Sequence, residues 1–171
     1  AVHTRNNAWR NDETLYLDTL AKNDLAYPIR FNLAVFLRNE KKDFENAKKE
    51  FETILRQSPN WRDITLVYLH LGDYERDLAG NEQKAIEYYK KSVEAAHDWK
   101  GHFALSRLGA LFASKEEYVQ AVPYFCQAVE VNPDSQSSQE SLNRVISLID
   151  STYKDKPFQL YQDIVKGSAF R

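Results

Sequence analysis

The fold of this chain is decided by residues 101–134, which read GHFALSRLGALFASKEEYVQAVPYFCQAVEVNPD. Apolar residues in the first half recur every three or four positions and therefore share one face of a helix, as Leu105, Leu108 and Phe112 do. The second half repeats this spacing and ends at Pro133, which cannot continue a helix. The stretch predicts two helices that pack against each other.

Small residues stand where the two predicted helices would approach most closely, and Gly109 is one of them. Weaker copies of the pattern precede this pair at residues 27–59 and 61–98. The small position recurs as Ala47, Ala85 and Ala121, and a leucine position recurs as Leu33, Leu71 and Leu108. A repeated helix pair is typical of repeat proteins, in which each unit buries its apolar face against the next.

The pattern of 101–134, with its Leu-Gly pair, its small residues, its aromatics and its closing Pro, resembles the tetratricopeptide repeat (TPR), whose period is about 34 residues. This resemblance implies an all-α, right-handed α-solenoid of about three helix-turn-helix repeats with capping helices at both ends. We expect a single TPR domain over 1–171, made of a leading helix 11–24, repeats 27–59, 61–98 and 101–134, a capping helix 136–154, and a short helix or tail 157–171. In the second repeat, we expect a first helix over 62–78 that is about one turn longer than usual.

Composition narrows the classes of function. The 171 residues carry a net charge of −2, which gives no electrostatic reason to expect a nucleic-acid partner. No apolar run is long enough to span a membrane. The single cysteine, Cys126, has apolar neighbours and is expected to be a buried thiol. No catalytic, metal-binding or phosphate-binding motif is recognisable, so we expect neither a cofactor nor enzymatic activity.

The amino terminus carries a second resemblance. Arg5, Asn6, Trp9, Asn11 and Asp12 match an Arg-Asn-x-x-Trp-x-(Asp/Asn)-(Glu/Asp) segment of protein-O-mannosyltransferase-like membrane proteins. In that family the segment joins the last membrane helix to TPRs, which implies an excised region on the periplasmic or luminal side; without the resemblance, a cytoplasmic location is expected. The match is imperfect, because Asp24 stands where the family often has Pro. The alternative is that Trp9 only anchors the first helix.

The TPR resemblance also implies where a ligand would bind, because the first helices of TPR pairs line a concave groove. We therefore take the exposed positions of those helices as candidate peptide-binding residues: Asn32, Phe36 and Asn39; His70, Asp73 and Asp77; His102, Phe103, Ser106, Arg107 and Ser114. Phe103 and Arg107 lie one turn apart, so a ring and a cation would face the same space. The alternative is that Phe103 packs against the preceding repeat and Arg107 pairs with a carboxylate.

A clamp for chaperone carboxyl-terminal tails is not expected, because Arg107 alone matches its Lys, Asn and Arg set, while Phe31, Val35 and His70 replace the others. The leading prediction is a protein-interaction scaffold for a peptide or partner domain. The alternatives are an accessory region of a membrane glycosyltransferase that positions acceptor proteins, and a self-assembly module. The oligomeric state stays open.

Overall fold

The computed structural model describes residues 2–149 and 157–165, and the side chains of 12–149 and 158–164 within them. These described residues form nine α-helices and no strand, which confirms the all-α class. The helices are α1 Val2–Lys22, α2 Tyr27–Phe36, α3 Phe44–Gln57, α4 Ile64–Asp77, α5 Glu82–Glu94, α6 Gly101–Ser114, α7 Tyr118–Val131, α8 Gln136–Ile149 and α9 Pro157–Val165, with a π-helical segment Leu37–Lys41 after α2.

Several helix ends are explained by local residues. Pro28 stands in the first turn of α2, where its missing N–H is not needed. Asp43 caps α3 by accepting a hydrogen bond from the Asn46 backbone N–H at 3.2 Å. At the end of α7, Asn132 is extended, because the ring of Pro133 disfavours the helical conformation in the residue before it.

The expected extra turn in the second repeat is not found. Helix α4, Ile64–Asp77, has 14 residues, the same length as α6. Turns over 58–64 delay its start, since Trp61 N–H bonds to the Ser58 carbonyl and Ile64 N–H to the Trp61 carbonyl. Beyond its end, Gly80 has a φ of 64°, a left-handed conformation that stops the helix.

The two ends of the chain are described in part. Helix α1 begins at Val2, well before the expected start at residue 11. The side chains of Arg5, Asn6, Trp9 and Asn11, which carry the amino-terminal resemblance, lie outside the described residues. Residues 150–154 of the predicted cap and 166–171 of the predicted tail lie outside them as well, as do residues 155 and 156 between the two.

The chain divides into two compact units, residues 1–85 and 86–171. In the first unit, α1 packs on α2, α2 on α3 and α3 on α4. Leu33, Leu37 and Ala47 form a core there, against which Tyr16 and Leu20 of α1 pack. Buried Arg30 of α2 adds ion pairs to Glu50 of α3, at 2.5 Å, and to Asp24.

The second unit is built around α7, which packs against α6, α8 and α9. Its core comprises Ala121, Val122, Phe125, Cys126, Leu142, Val145, Ile146 and Leu160. A Cβ added to Gly109 of α6 would lie 2.9 Å from three ring atoms of Phe125, so glycine permits this close approach. Cys126 is fully buried, as predicted. Burial is the main cause that raises the pKa of its thiol to about 12, and the negative charge of Glu130 is a smaller one.

Candidate functional site

In the first unit, the candidate residues differ in exposure. Asn32, Asn39 and Asp77 are exposed and His70 is half-buried. Phe36 was expected on an exposed face but is buried, because α1 covers it. Its ring meets the Tyr16 ring edge-to-face at 6.1 Å, a contact that the position of Phe36 within α2 does not reveal.

Asp73 was also expected to be exposed and is buried. Its carboxylate lies 3.4 Å from an Arg38 nitrogen and 3.5 Å from an Arg76 nitrogen. Arg38 also donates a hydrogen bond of 2.5 Å to Nδ1 of His70, and this nitrogen is the acceptor because a guanidinium can only donate. The His70 ring stacks on the ring of Phe51, with 5.0 Å between the centroids. Asp73 and His70 thus belong to a network that joins α4 to the segment following α2.

A cavity of 220 Å³ lies beside this network. It is lined by Arg38, Phe44, Ala47, Lys48, Phe51, His70, Asp73, Tyr74, Asp77 and Leu78. The Tyr74 hydroxyl donates a hydrogen bond to Glu45, and this bond, with burial and neighbouring carboxylates, raises the pKa of Tyr74 to about 12. A separate pocket of 240 Å³ includes Asn32 beside the rings of Phe31 and Trp61.

Sequence reasoning missed a buried charge cluster centred on Glu75 of α4. The Glu75 carboxylate accepts from Lys48 at 3.2 Å and lies 2.9 Å from the Lys84 ammonium. Burial alone would raise its pKa, but hydrogen bonds and charge from Lys84 and Lys48 outweigh burial and hold the pKa below its ordinary value. Glu75 is paired within the fold, so we assign it a structural role.

In the second unit, His102 was expected to be exposed and is buried. Its Nδ1 lies 2.6 Å from the Trp99 backbone oxygen, and its ring centroid lies 4.0 Å from that of Phe103. Phe103 itself is 40% exposed, as expected, and Trp99 is 53% exposed with its ring 5.7 Å from Phe103. Trp99 is not among the residues predicted from the sequence; the signal that could have found it is an aromatic four positions before Phe103.

One face of α6 remains exposed along its length. The exposed residues Phe103, Arg107, Ala110 and Ser114 follow each other at three- and four-residue spacing, and therefore form one stripe. Ser106 is half-buried at the side of this stripe, where its hydroxyl lies 3.0 Å from that of buried Ser138 and links α6 to α8. We call the stripe, together with Trp99, the α6 face.

The α6 face leads into a cavity of 320 Å³ between α6, α7 and α8. Its lining residues are Ala110, Ala113, Ser114, Tyr118, Phe125, Ser141, Arg144, Val145 and Leu148. Of the sequence candidates, Ser114 alone lines it. Arg144 and Leu148 come from α8, which the TPR resemblance assigns to a cap and not to the ligand groove.

Neither a cluster of metal ligands nor a membrane-spanning helix is found in the described part of the chain. Among these residues, no three His, Cys, Asp or Glu side chains are grouped so as to hold a metal ion. No described helix combines the length and apolar character needed to cross a membrane. No protein-family model matches the chain. The site is therefore interpreted from its own geometry.

Proposed function

We propose that the chain is a protein-interaction module and that the α6 face binds a segment of another polypeptide. The observation that carries this proposal is an exposed aromatic pair, Trp99 in the turn before α6 and Phe103 on α6, followed along α6 by Arg107 and by the cavity of the second unit. Tryptophan, tyrosine and arginine side chains are enriched among the residues that dominate the binding energy of protein interfaces. Aromatic side chains supply large apolar area at a small cost in conformational entropy, while arginine adds charge-assisted hydrogen bonds.

The candidates in the first unit give less support to this function. Phe36 is covered by α1, and His70 and Asp73 are engaged by Arg38. Binding there would require the ligand to compete with these internal contacts. On the α6 face, Trp99, Phe103 and Arg107 are exposed.

We propose further that the helix pairs are TPRs, as the sequence resemblance implies. Support comes from Ala47, Ala85 and Ala121, which are all buried at the predicted small positions. The ring of Phe125 against Gly109 is the close helix approach expected from the Leu-Gly pair. The accessory region of a membrane glycosyltransferase and the self-assembly module stay predictions from the sequence.

The test is selection of a random-peptide display library on the full chain, followed by affinity measurement for the selected peptides by fluorescence polarisation. Phe103→Ala should weaken binding by about 2 kcal/mol, or roughly 30-fold in Kd, if the ring is a binding hot spot. Phe158→Ala is the matched control, because Phe158 is 36% exposed on α9, a helix that packs against α7 and α8. Failure to select any peptide, or equal effects of the two variants, would overturn the proposal.

A further inference from the structure

The cavities of the two units occupy the same place in a helix arrangement. Each lies beside a 14-residue helix, α3 or α7, and is lined by its first residue, Phe44 or Tyr118. Each is also lined by the aromatic seven positions later, Phe51 or Phe125, and by residues of the next helix along the chain. The two cavities differ in the charges at their rims.

The charged side chains that line the first cavity form ion pairs with other residues of the fold. Arg38 pairs with Asp73, and Asp73 also pairs with Arg76. Lys48 pairs with Glu75, and its ammonium lies 4.4 Å from the centroid of the Tyr74 ring. Basic and acidic groups both line this cavity, so its charges give no preference for the sign of a ligand.

Among the described residues that line the second cavity, one carries a formal charge, the guanidinium of Arg144. Glu140, one turn earlier on α8, accepts a hydrogen bond of 2.7 Å from Gln136 instead. Within the described part of the chain, Arg144 makes no ion pair, and it is exposed. A guanidinium held at the mouth of an apolar cavity favours a carboxylate that accompanies an apolar group.

The walls of this cavity suit a side chain carried on a peptide backbone. Ala113, Phe125, Val145 and Leu148 supply apolar surface. A cavity of 150 Å³ is known to hold a benzene ring, so 320 Å³ admits one large aliphatic or aromatic side chain. The Ser114 and Ser141 hydroxyls donate to carbonyls of their own helices at 2.8 Å, which leaves their oxygens as acceptors for peptide N–H groups.

We propose that this cavity binds one large apolar side chain of an acidic polypeptide segment, with Arg144 pairing to a carboxylate that flanks it. Arg107 strengthens this preference, since it is exposed on α6 three residues before Ala110, which lines the cavity. The inference rests on the proposed function and specifies the ligand of the same face.

The experiment is a display library of short peptides with a central Leu and flanking positions randomised among Glu, Gln and Lys. On the full chain, Glu should be enriched at least tenfold over Lys next to the Leu. Arg144→Glu should reverse this preference. Arg62→Glu is the matched control, because it makes the same charge change at an arginine that is 89% exposed in the first unit, and it should leave the preference for Glu intact. Circular dichroism checks that both variants keep their helix content.

The outcomes of this experiment distinguish failure of the charge-selective pocket from failure of the proposed function. Equal enrichment of Glu, Gln and Lys, or a preference for Glu that survives Arg144→Glu, would overturn the charge-selective pocket. If peptides selected from the random library still depended on Phe103, the proposed function would stand while this inference failed. If neither library yielded a binding peptide, both would fail. Association of the chain with itself that is lost in Arg144→Glu would assign the cavity to a second copy instead and would also overturn the inference.

Discussion

Gly109→Ala tests the packing on which the second unit depends. The new Cβ would lie 2.9 Å from three atoms of the Phe125 ring, and this ring is only 3% exposed, so it has little room to tilt. Overpacking of this kind costs about 1–3 kcal/mol. Alanine regains about 1 kcal/mol through its higher helix propensity. Because the ring is enclosed, the overpacking cost lies in the upper half of its range, about 2–3 kcal/mol, and we expect a net destabilisation of about 1–2 kcal/mol.

Urea unfolding followed by far-UV circular dichroism measures this change. Ala110→Gly on the same helix is the control, and it should cost about 1 kcal/mol through propensity alone. Phe125→Leu removes the ring atoms that meet the new Cβ, so it should cost about 1 kcal/mol less in the Gly109→Ala background than in the original chain. Stabilisation by Gly109→Ala, or strict additivity in this double-mutant cycle, would refute the close approach.

Three further perturbations test other parts of the structure. Glu75→Gln should destabilise the fold by about 1–3 kcal/mol at neutral pH, because Lys48 and Lys84 lose their shared carboxylate. The fold lowers the pKa of Glu75 from its ordinary value of 4.5, so the stability that its ion pairs contribute is complete above pH 4.5 and is lost as the pH falls through the lowered pKa. Glu75→Gln should therefore lose less stability than the original chain on acidification. Identical acid unfolding of the two chains would contradict this. Cys126, with a pKa of about 12, should react with a thiol reagent at neutral pH on the order of 1,000-fold more slowly than in the urea-unfolded chain, and comparable rates would show that the thiol is accessible. Gly80→Ala should cost about 1–2 kcal/mol through its left-handed backbone alone, since a Cβ there meets nothing within 4 Å, and Gly80→Asn should cost less; equal melting temperatures for all three chains would argue against this turn.

The helices could be predicted from the sequence because their signals are local. The spacing of Leu105, Leu108 and Phe112 indicates a helix face, and Pro133 marks where α7 has to end. Gly109 is informative for the same reason, since a small residue in an apolar stripe indicates a close helix approach. These features need no knowledge of what lies across the fold.

Burial of the candidate residues depends on distant parts of the chain and could not be predicted in this way. Phe36 is covered by α1, and Asp73 is paired with Arg38, which lies on another helical segment. Their positions within α2 and α4 resemble those of exposed residues. Arg144 was missed for the opposite reason, because nothing in the sequence of α8 distinguishes an arginine at a cavity mouth from an ordinary solvated one.

The most direct test of the account is the position of a bound peptide on the chain. Backbone amide chemical shifts in NMR spectra, recorded with and without a peptide selected from the random library, report that position. The account predicts that shift changes concentrate in residues 99–114 and 141–148, which form the α6 face and the α8 wall of its cavity. Changes confined to the first unit, around the cavity of Arg38, His70 and Asp73, would contradict it.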